Sequence, residues 1–205
     1  MKVDFKKELK ELYNPESGAF SLVKVPKLQY LMVDGQGDPN KVVEYQEAVQ
    51  ALFSVSYTLK FHSKNELGKD YVVPPLEGLW WSDNFDDFRS RRKNKWSWTM
   101  MIMVPEWLGK KEFDAAVSTV KSKRPEIKVE RLRLESLEEG LSVQIMHIGS
   151  YDDETPTLLK LHDEWIPANG YIETLRHHEV YLGDPRKTPA AKLKTVLRQP
   201  VEKLK

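Results

Sequence analysis

The chain contains the stretch Arg176-His177-His178-Glu179-Val180-Tyr181-Leu182-Gly183-Asp184-Pro185. Its pattern is typical of a β-strand, in which successive side chains point to opposite faces of the sheet. The stretch therefore predicts a strand with one chemically active face and one structural face. The first face carries His177, Glu179 and Tyr181, and the second carries His178, Val180 and Leu182.

The end of this strand is marked by Gly183-Asp184-Pro185, because Pro cannot donate to a sheet ladder and Gly permits a positive φ. A Glu in the strand can accept a proton or balance a cationic ligand, and a Tyr on the same face can stack or donate a hydrogen bond. A Glu in a strand is roughly as often a solvated residue on an outer face. Both interpretations of Glu179 stay open on this segment alone.

The composition indicates a soluble protein with many aromatic residues. The 205 residues are 40% hydrophobic and 31% charged, without an apolar run long enough to cross a bilayer. The absence of cysteine excludes disulfides, thiol catalysis and thiolate metal ligands. The start of the chain, Met1-Lys2-Val3-Asp4-Phe5-Lys6, lacks the apolar core of a signal peptide, so a cytoplasmic protein is expected.

The charge pattern does not favour nucleic acid as a partner. The formal net charge of +1 provides no general field that would attract a polyanion. Arg89-Ser90-Arg91-Arg92-Lys93 forms a local basic run, which we interpret as a solvated loop, with nucleic-acid contact as the minor alternative.

The first half of the chain predicts a strand, a turn, a capped helix and two more strands. The first strand passes through residues 28–33 and turns at 35–37, and Asp38-Pro39 then supplies an N-cap and a first-turn proline. Strands follow around residues 76–81 and 95–104. The helix presents an apolar face made of Tyr45, Val49, Leu52, Val55 and Leu59.

The same order recurs after a bridging helix that ends at Pro125. Residues 141–149 match the strand that ends at Gly35, and strands follow at 176–182 and 194–198. Thr155-Pro156 opens the second helix, whose inward stripe is Leu158, His162 and Trp165. Aligning the two halves places Trp80 at the position of Tyr181 and Gly78 at that of Glu179.

These repeats predict a single α+β domain over residues 1–205. Its segments are an N-terminal helix in 1–16 that forms an appendage, a first repeat in 17–106, a bridging helix in 107–125 and a second repeat in 126–205. Two pseudo-twofold-related strand-helix-strand-strand units would form an antiparallel sheet, with helices on one side and a ligand cleft at the seam.

From about Phe20 onward the chain resembles the GyrI-like small-molecule-binding proteins, a family named for a gyrase inhibitor. The resemblance is strongest in three segments taken together: residues 143–151, residues 177–186 and residues 192–198. It implies two pseudo-twofold-related units with a cleft along the seam. In multidrug-sensing activators of this family the cleft binds bulky, planar, often cationic compounds, and an acidic residue matching Glu179 lies in it.

The resemblance extends to a subfamily of stand-alone GyrI-like proteins that add water to the cyclopropane of planar DNA-alkylating compounds. No helix-turn-helix segment precedes the domain in this sequence, which argues against a transcription regulator. It leaves sequestration, catalysis or inhibition of a protein partner such as gyrase.

The aromatic residues indicate which groups would hold a planar ligand. Trp80 and Trp81 point to opposite faces of one strand, so Trp80 is expected to line the cleft and Trp81 to pack in the core. Trp98 is favoured over Trp96 as a second wall, although a single tryptophan is more often core than site. The remaining expected ligand contacts are His177, Met146 and Tyr30.

Metal and nucleophilic chemistry find little support. His177 and His178 face opposite ways and no His-x-x-x-His framework accompanies them, so no metal or cofactor is expected, and His147 and His162 are interpreted as core or supporting groups. The sequence also lacks a Gly-x-Ser-x-Gly elbow and a phosphate-binding glycine loop.

The sequence therefore predicts a cleft enzyme that hydrolyses strained, electrophilic xenobiotics. Glu179 would deprotonate a water molecule, Tyr181 would position that water or donate to developing charge, and Trp80 and Trp98 would stack the ligand. The alternatives are a non-catalytic protein that sequesters planar, cationic drugs, and a protein that inhibits a partner. No membrane association is expected.

Overall fold

A computed structural model describes residues 2–84 and 86–205, with all their side chains except those of Phe88 and Arg89. Met1 and the Arg89 side chain of the predicted basic run therefore lie outside the described residues. The strands are β1 (Lys2–Val3), β2 (Ser21–Gln36), β3 (Asp70–Tyr71), β4 (Leu76–Trp81), β5 (Ser97–Met103), β6 (Arg133–Ile148), β7 (Tyr171–Glu173), β8 (His177–Tyr181) and β9 (Lys194–Lys203).

Among the described residues, two helices, Val43–Glu66 and Lys110–Lys123, are long and the others are short. The helices are α1 (Phe5–Glu8), α2 (Lys10–Tyr13), α3 (Val43–Glu66), α4 (Asp86–Arg89), α5 (Lys110–Lys123), α6 (Thr155–Leu159) and α7 (Ile166–Ala168). A π-helical segment, Lys160–Trp165, joins α6 to α7. Within the described ranges, no helix is both long and apolar enough to cross a membrane.

Seven strands form one antiparallel sheet in the order β6-β2-β5-β4-β8-β9-β7, and β6 also pairs with β9. Six of the strands therefore form a closed ring of pairings, and β7 extends it at β9. β1 and β3 form a separate two-stranded parallel sheet. The predicted α+β class with an antiparallel sheet is confirmed, and the two long helices, α3 and α5, pack on one side of it.

The two halves meet where β4 pairs with β8. Gly78 pairs directly with Glu179, Trp80 with His177 and Leu76 with Tyr181. A twofold axis through the first pair relates Trp80 to Tyr181, which is the equivalence that the sequence alignment predicts. His177, Glu179 and Tyr181 therefore lie at the seam between the two repeats, on one face of the sheet.

The main core lies between the sheet and helices α3 and α5. Its fully buried members include Leu31, Leu52, Trp98 and Ile102. Gly35 pairs with Trp98, and a Cβ at Gly35 would lie 2.0 Å from the Trp98 ring. Gly35 thus lies within β2 and leaves room for the indole, while the chain turns only at Gly37, where φ is 99°.

The start of α3 differs from the prediction. Asp38-Pro39 was expected to open the helix, but α3 begins at Val43. The Asp38 side chain instead accepts a hydrogen bond from the backbone N–H of Asn40, which forms a turn before the helix.

The opposite face of the sheet is covered by the N-terminal segment. Leu12 and Tyr13 are buried there, the Tyr13 hydroxyl donates to Glu77 over 3.0 Å, and Arg198 Nη2 donates to the Leu12 carbonyl over 2.6 Å. The expectation that this segment is a mere appendage is therefore wrong. It closes a face that would otherwise leave polar groups exposed to solvent.

A buried ionic cluster lies beneath this segment. His178 is 2.9 Å from a carboxylate oxygen of Glu77 and 3.0 Å from one of Glu139, and Arg198 is 3.3 Å from Glu139. Burial opposes the charge on His178, but the Glu139 and Glu77 carboxylates raise its pKa to about 9. His178 is therefore a structural cation on the face opposite to Glu179.

Candidate functional site

A cleft of about 1840 Å³ lies above the seam, between α3 and the turn and helix of residues 151–159. β4 and β8 form its floor, because the strand alternation directs Trp80, His177, Glu179 and Tyr181 to this face. Its aromatic lining is shared by both halves of the chain and comprises Tyr45, Phe53, Tyr57, Trp80, Trp81, Trp96, Tyr151 and Tyr181.

Three floor residues form a chain of hydrogen bonds. The indole N–H of Trp80 donates to the Tyr181 hydroxyl over 2.8 Å, and that hydroxyl donates to Glu179 Oε2 over 2.8 Å. A Cβ at Gly78 would lie 2.9 Å from Trp80 Nε1, so the glycine leaves space for this indole. The chain fixes one carboxylate oxygen and leaves Oε1, which is 3.7 Å from His177 Nε2.

Burial is the main influence on the pKa of Glu179. Its side chain is 14% exposed, and burial raises its pKa to about 7 against the opposing effects of Tyr181, His178 and Lys93. Burial and the Glu179 charge raise the pKa of Tyr181 well above its usual value. Glu179 can thus exchange a proton near neutrality, while Tyr181 remains a hydroxyl donor.

Two further aromatic residues of the cleft lining, Tyr151 and Tyr45, pack against the aromatic residues of the floor. The Tyr151 ring packs edge-on against Tyr181 at 5.5 Å between centroids. Tyr45, from α3, lies 6.4 Å from Trp80 at an interplanar angle of 30° and packs edge-on against Trp98 at 5.3 Å. Rigid rings on both sides are suited to a planar ligand.

Two of the five predicted ligand contacts lie in the cleft, namely Trp80 and His177. The other three do not, so their placement in the cleft is wrong. Trp98 is fully buried between Gly35 and Tyr45 and reaches no open space. Tyr30 and Met146 are buried on the opposite face of the sheet, in clusters with residues such as Met101 and Tyr13.

The other tryptophans also differ from the prediction. Trp96 lines the cleft and packs edge-on against Trp80 at 5.8 Å, so it takes the position that was expected for Trp98. Trp81 lies at the end of β4 and is only half-buried. The Arg176 guanidinium lies over its ring, 3.4 Å from the ring centroid. The expectation that Trp81 packs in the core is therefore wrong.

His162 and His177 continue the polar lining of the cleft. The ring centroids of these two histidines are 5.4 Å apart, and His162 Nδ1 is 2.8 Å from a carboxylate oxygen of Glu173. Burial lowers the pKa of His177 well below its usual value, so this ring is neutral. In the part of the chain that the structure describes, no group of three or more His, Asp or Glu residues is arranged to hold a metal ion.

Glu154 is the main cleft residue that sequence reasoning missed. It follows Tyr151 in a short 3₁₀ turn, lines the cleft and is 3% exposed. Burial first, and the Glu179 charge second, raise its pKa to about 9. Its only sequence signal is a position just before the helix that opens at Thr155-Pro156.

Residues 19–202 match the family described as the GyrI-like small molecule binding domain. No curated protein matches the chain. Among solved structures, an uncharacterised conserved protein from Listeria innocua shares 37% identity, with a TM-score of 0.90 and coverage of 98% of this chain and 100% of that one. A hydrolase from the same organism shares 36% identity, with a TM-score of 0.84 and the same coverage.

A more distant structure shares only the fold. The C-terminal domain of EcmrR is 14% identical, with a TM-score of 0.57 and coverage of 91% of this chain and 98% of that one.

Proposed function

Since the chain belongs to the GyrI-like small-molecule-binding family, we propose that it binds planar aromatic compounds in the cleft and hydrolyses those with a strained, electrophilic cyclopropane. A protein described as a hydrolase that is 36% identical over the whole of its chain supports a hydrolytic activity. The choice of a cyclopropane substrate rests on the resemblance to stand-alone members of the family and on the chemistry of the cleft.

The observation that carries this proposal is the position of Glu179. It is a carboxyl with a pKa of about 7 on the floor of an aromatic cleft, with one oxygen held by Tyr181 and the other left for a water molecule. A base of this pKa combines a substantial ionised fraction at neutral pH with enough basicity to accept a proton.

The reaction that this arrangement favours is addition of water. Glu179 takes a proton from water as the oxygen forms a bond to the electrophilic cyclopropane carbon. The cyclopropane C–C bond breaks, and its electron pair moves through the planar ring system to the conjugated carbonyl oxygen, which gains a proton. General acid–base help of this kind contributes about 10²–10⁴-fold.

Binding and orientation come from the aromatic rings. Trp96 and Tyr45 would hold the fused rings against Trp80 on the floor, so that the reacting carbon faces Glu179. Holding both reactants in place reduces the entropic part of the activation barrier, namely the freedom that water and ligand lose when they come together.

The test is to incubate the protein with a planar, carbonyl-conjugated cyclopropane compound in heavy-oxygen water and to analyse the product by mass spectrometry. We expect ring-opened product that carries the heavy oxygen and forms faster than in buffer. Intact binding with no product above the buffer rate would disprove the enzymatic function.

A second function is favoured by the same carboxylate. A carboxylate among aromatic rings also attracts planar cations through charge and cation–π interactions, so the protein could act by sequestration. Affinities for a planar cation and a neutral analogue of the same shape separate the two functions. Sequestration predicts a clear preference for the cation and no turnover of either compound.

A further inference from the structure

Glu154 lines the cleft but takes no part in the addition of water by Glu179. Its turn, Tyr151–Glu154, belongs to the second repeat, and the Tyr151 ring of the same turn contacts Tyr181. The neighbouring Asp153 is exposed and does not line the cleft, whereas Glu154 is 3% exposed and does. The chain therefore buries one particular carboxyl of an acidic run beside the floor.

The Glu154 carboxyl has an unused oxygen. Among the described residues, Oε1 of Glu154 is buried without a hydrogen-bond partner. A buried polar atom without a partner is costly unless a ligand or water completes it. The Thr195 hydroxyl is also buried without a partner among these residues, so a ligand group or water molecule that reaches Oε1 of Glu154 would gain a hydrogen bond.

The charged and polar groups around Glu154 come from three elements. Glu179 on β8 favours the neutral form of Glu154, while the Thr195 hydroxyl on β9 and the cations Arg91 and Lys93 oppose it. Arg91 and Lys93 are themselves paired with Asp152. Burial and Glu179 prevail, and they raise the pKa of Glu154 to about 9, so Glu154 is a neutral acid at neutral pH.

We propose that Glu154 is the general acid of the site and protonates the ligand oxygen that receives the electron pair of the broken C–C bond. This inference rests on the proposed hydrolysis and assigns the proton that Glu179 cannot supply while it acts as the base. Two carboxyls with separated protonation states are a common arrangement for paired acid and base catalysis.

With Glu154 as the acid, every proton in the ring-opening step has a donor and an acceptor. Glu179 gains the proton of water, Glu154 loses its proton to the ligand oxygen, and the product has gained one water molecule. Glu179 then returns its proton and Glu154 recovers one, through solvent that enters the open cleft, before the next turnover.

The test is the pH profile of kcat for the wild-type protein and Glu154→Gln. The amide keeps the shape of the side chain but cannot donate an acidic proton. We expect kcat to fall by about 10²-fold, with ligand affinity nearly unchanged. The wild-type profile should fall above about pH 9, and this descending limb should disappear in the variant, since coupled carboxyls titrate with values that belong to the pair.

Asp153→Asn is the matched control, because it removes a carboxylate from the same turn outside the cleft. It should keep both the rate and the profile of the wild type. An active wild type with a fully active Glu154→Gln, or with a descending limb that persists in that variant, would overturn the inference alone and assign the limb to a group such as His178. A wild type without turnover would overturn the proposed hydrolysis as well.

Discussion

The Tyr181 hydroxyl holds one carboxylate oxygen of the proposed base and makes that carboxyl more acidic than burial alone would leave it. It donates to Glu179 Oε2 and lowers the pKa of that carboxyl against the effect of burial. Glu179 must be ionised to accept a proton from water, so kcat/KM should rise about tenfold per pH unit below about pH 7 and level off above it.

Tyr181→Phe tests this coupling at the level of one atom. The ring remains as a wall of the cleft, but the hydrogen bond that favours the carboxylate is lost, so the rising limb should move to higher pH. The measurement is kcat/KM for the cyclopropane substrate from about pH 5 to about pH 8. A limb that stays in place or moves to lower pH would show that Tyr181 does not control Glu179.

Among the structural elements, the pairing of β2 with β5 explains why one tryptophan is core and another is site. Gly35 opposes Trp98, and the absence of a Cβ lets the indole lie flat across β2 beneath Tyr45. Trp96 precedes β5 and lines the cleft, where its ring packs edge-on against Trp80.

Gly35→Ala should therefore destabilise the fold strongly. A methyl group at this position would overlap the Trp98 ring, and overpacking of a core commonly costs about 1–3 kcal/mol or more. Chemical denaturation of Gly35→Ala, Trp98→Leu and the double variant measures the coupling. The double variant should be more stable than the sum of the single effects predicts, and strict additivity would contradict the proposed contact.

The tryptophans of β4 offer a second comparison of stability. Trp80 is 5% exposed and packs in the main core cluster, whereas Trp81 is half-buried under Arg176. Truncating a buried Trp costs about 3–5 kcal/mol, so Trp80→Ala should lower the melting temperature more than Trp81→Ala. The opposite order would contradict the facing of these two side chains.

Across the whole molecule, the sheet separates two kinds of buried charge. One face holds the compensated cluster of Glu77, His178, Glu139 and Arg198, and the other holds Glu154 and Glu179, whose charged forms are disfavoured. A carboxyl whose folded pKa is raised destabilises the folded state once it ionises in the unfolded chain. Glu154 and Glu179 are therefore expected to lower the free energy of unfolding as the pH rises.

Glu154→Gln should relieve this cost. The unfolded pKa is near 4.5 and the folded value about 9, so the penalty is absent at low pH and grows between these limits by about 1.4 kcal/mol per pH unit. Relative to the wild type, the variant should gain stability between about pH 5 and about pH 8. His178, whose stabilising charge is lost as the pH rises through about 9, is common to both proteins and cancels.

Urea unfolding at the two pH values measures this difference, with Asp153→Asn as the control that should show no gain. Any fixed cost of the buried amide contributes equally at both pH values. A stability difference that does not change with pH would show that Glu154 is ionised in the folded protein.

The sequence allowed the strand with His177, Glu179 and Tyr181 to be predicted because the two-residue alternation is a local property. It also allowed the repeats and their alignment at Gly78 and Glu179 to be predicted. It could not assign Tyr30 and Met146 to a face, since both faces of their strands are apolar and only the packing of α3 and the N-terminal segment distinguishes them.

Contacts between distant parts of the chain were also out of reach. The space for Trp98 depends on Gly35, which precedes it by helices α3 and α4 and strands β3 and β4. Glu154 approaches Glu179 only in the folded second repeat. The buried ionic cluster likewise joins four separate segments of the chain.

The most direct test of the catalytic role of Glu179 compares the wild type with Glu179→Gln under single-turnover conditions. The ligands are the cyclopropane compound and a neutral planar compound that cannot react. We predict that Glu179→Gln loses about 10²-fold or more of the ring-opening rate while it retains its affinity for the neutral compound. A variant that opens the ring at the wild-type rate would contradict the assignment of Glu179 as the base.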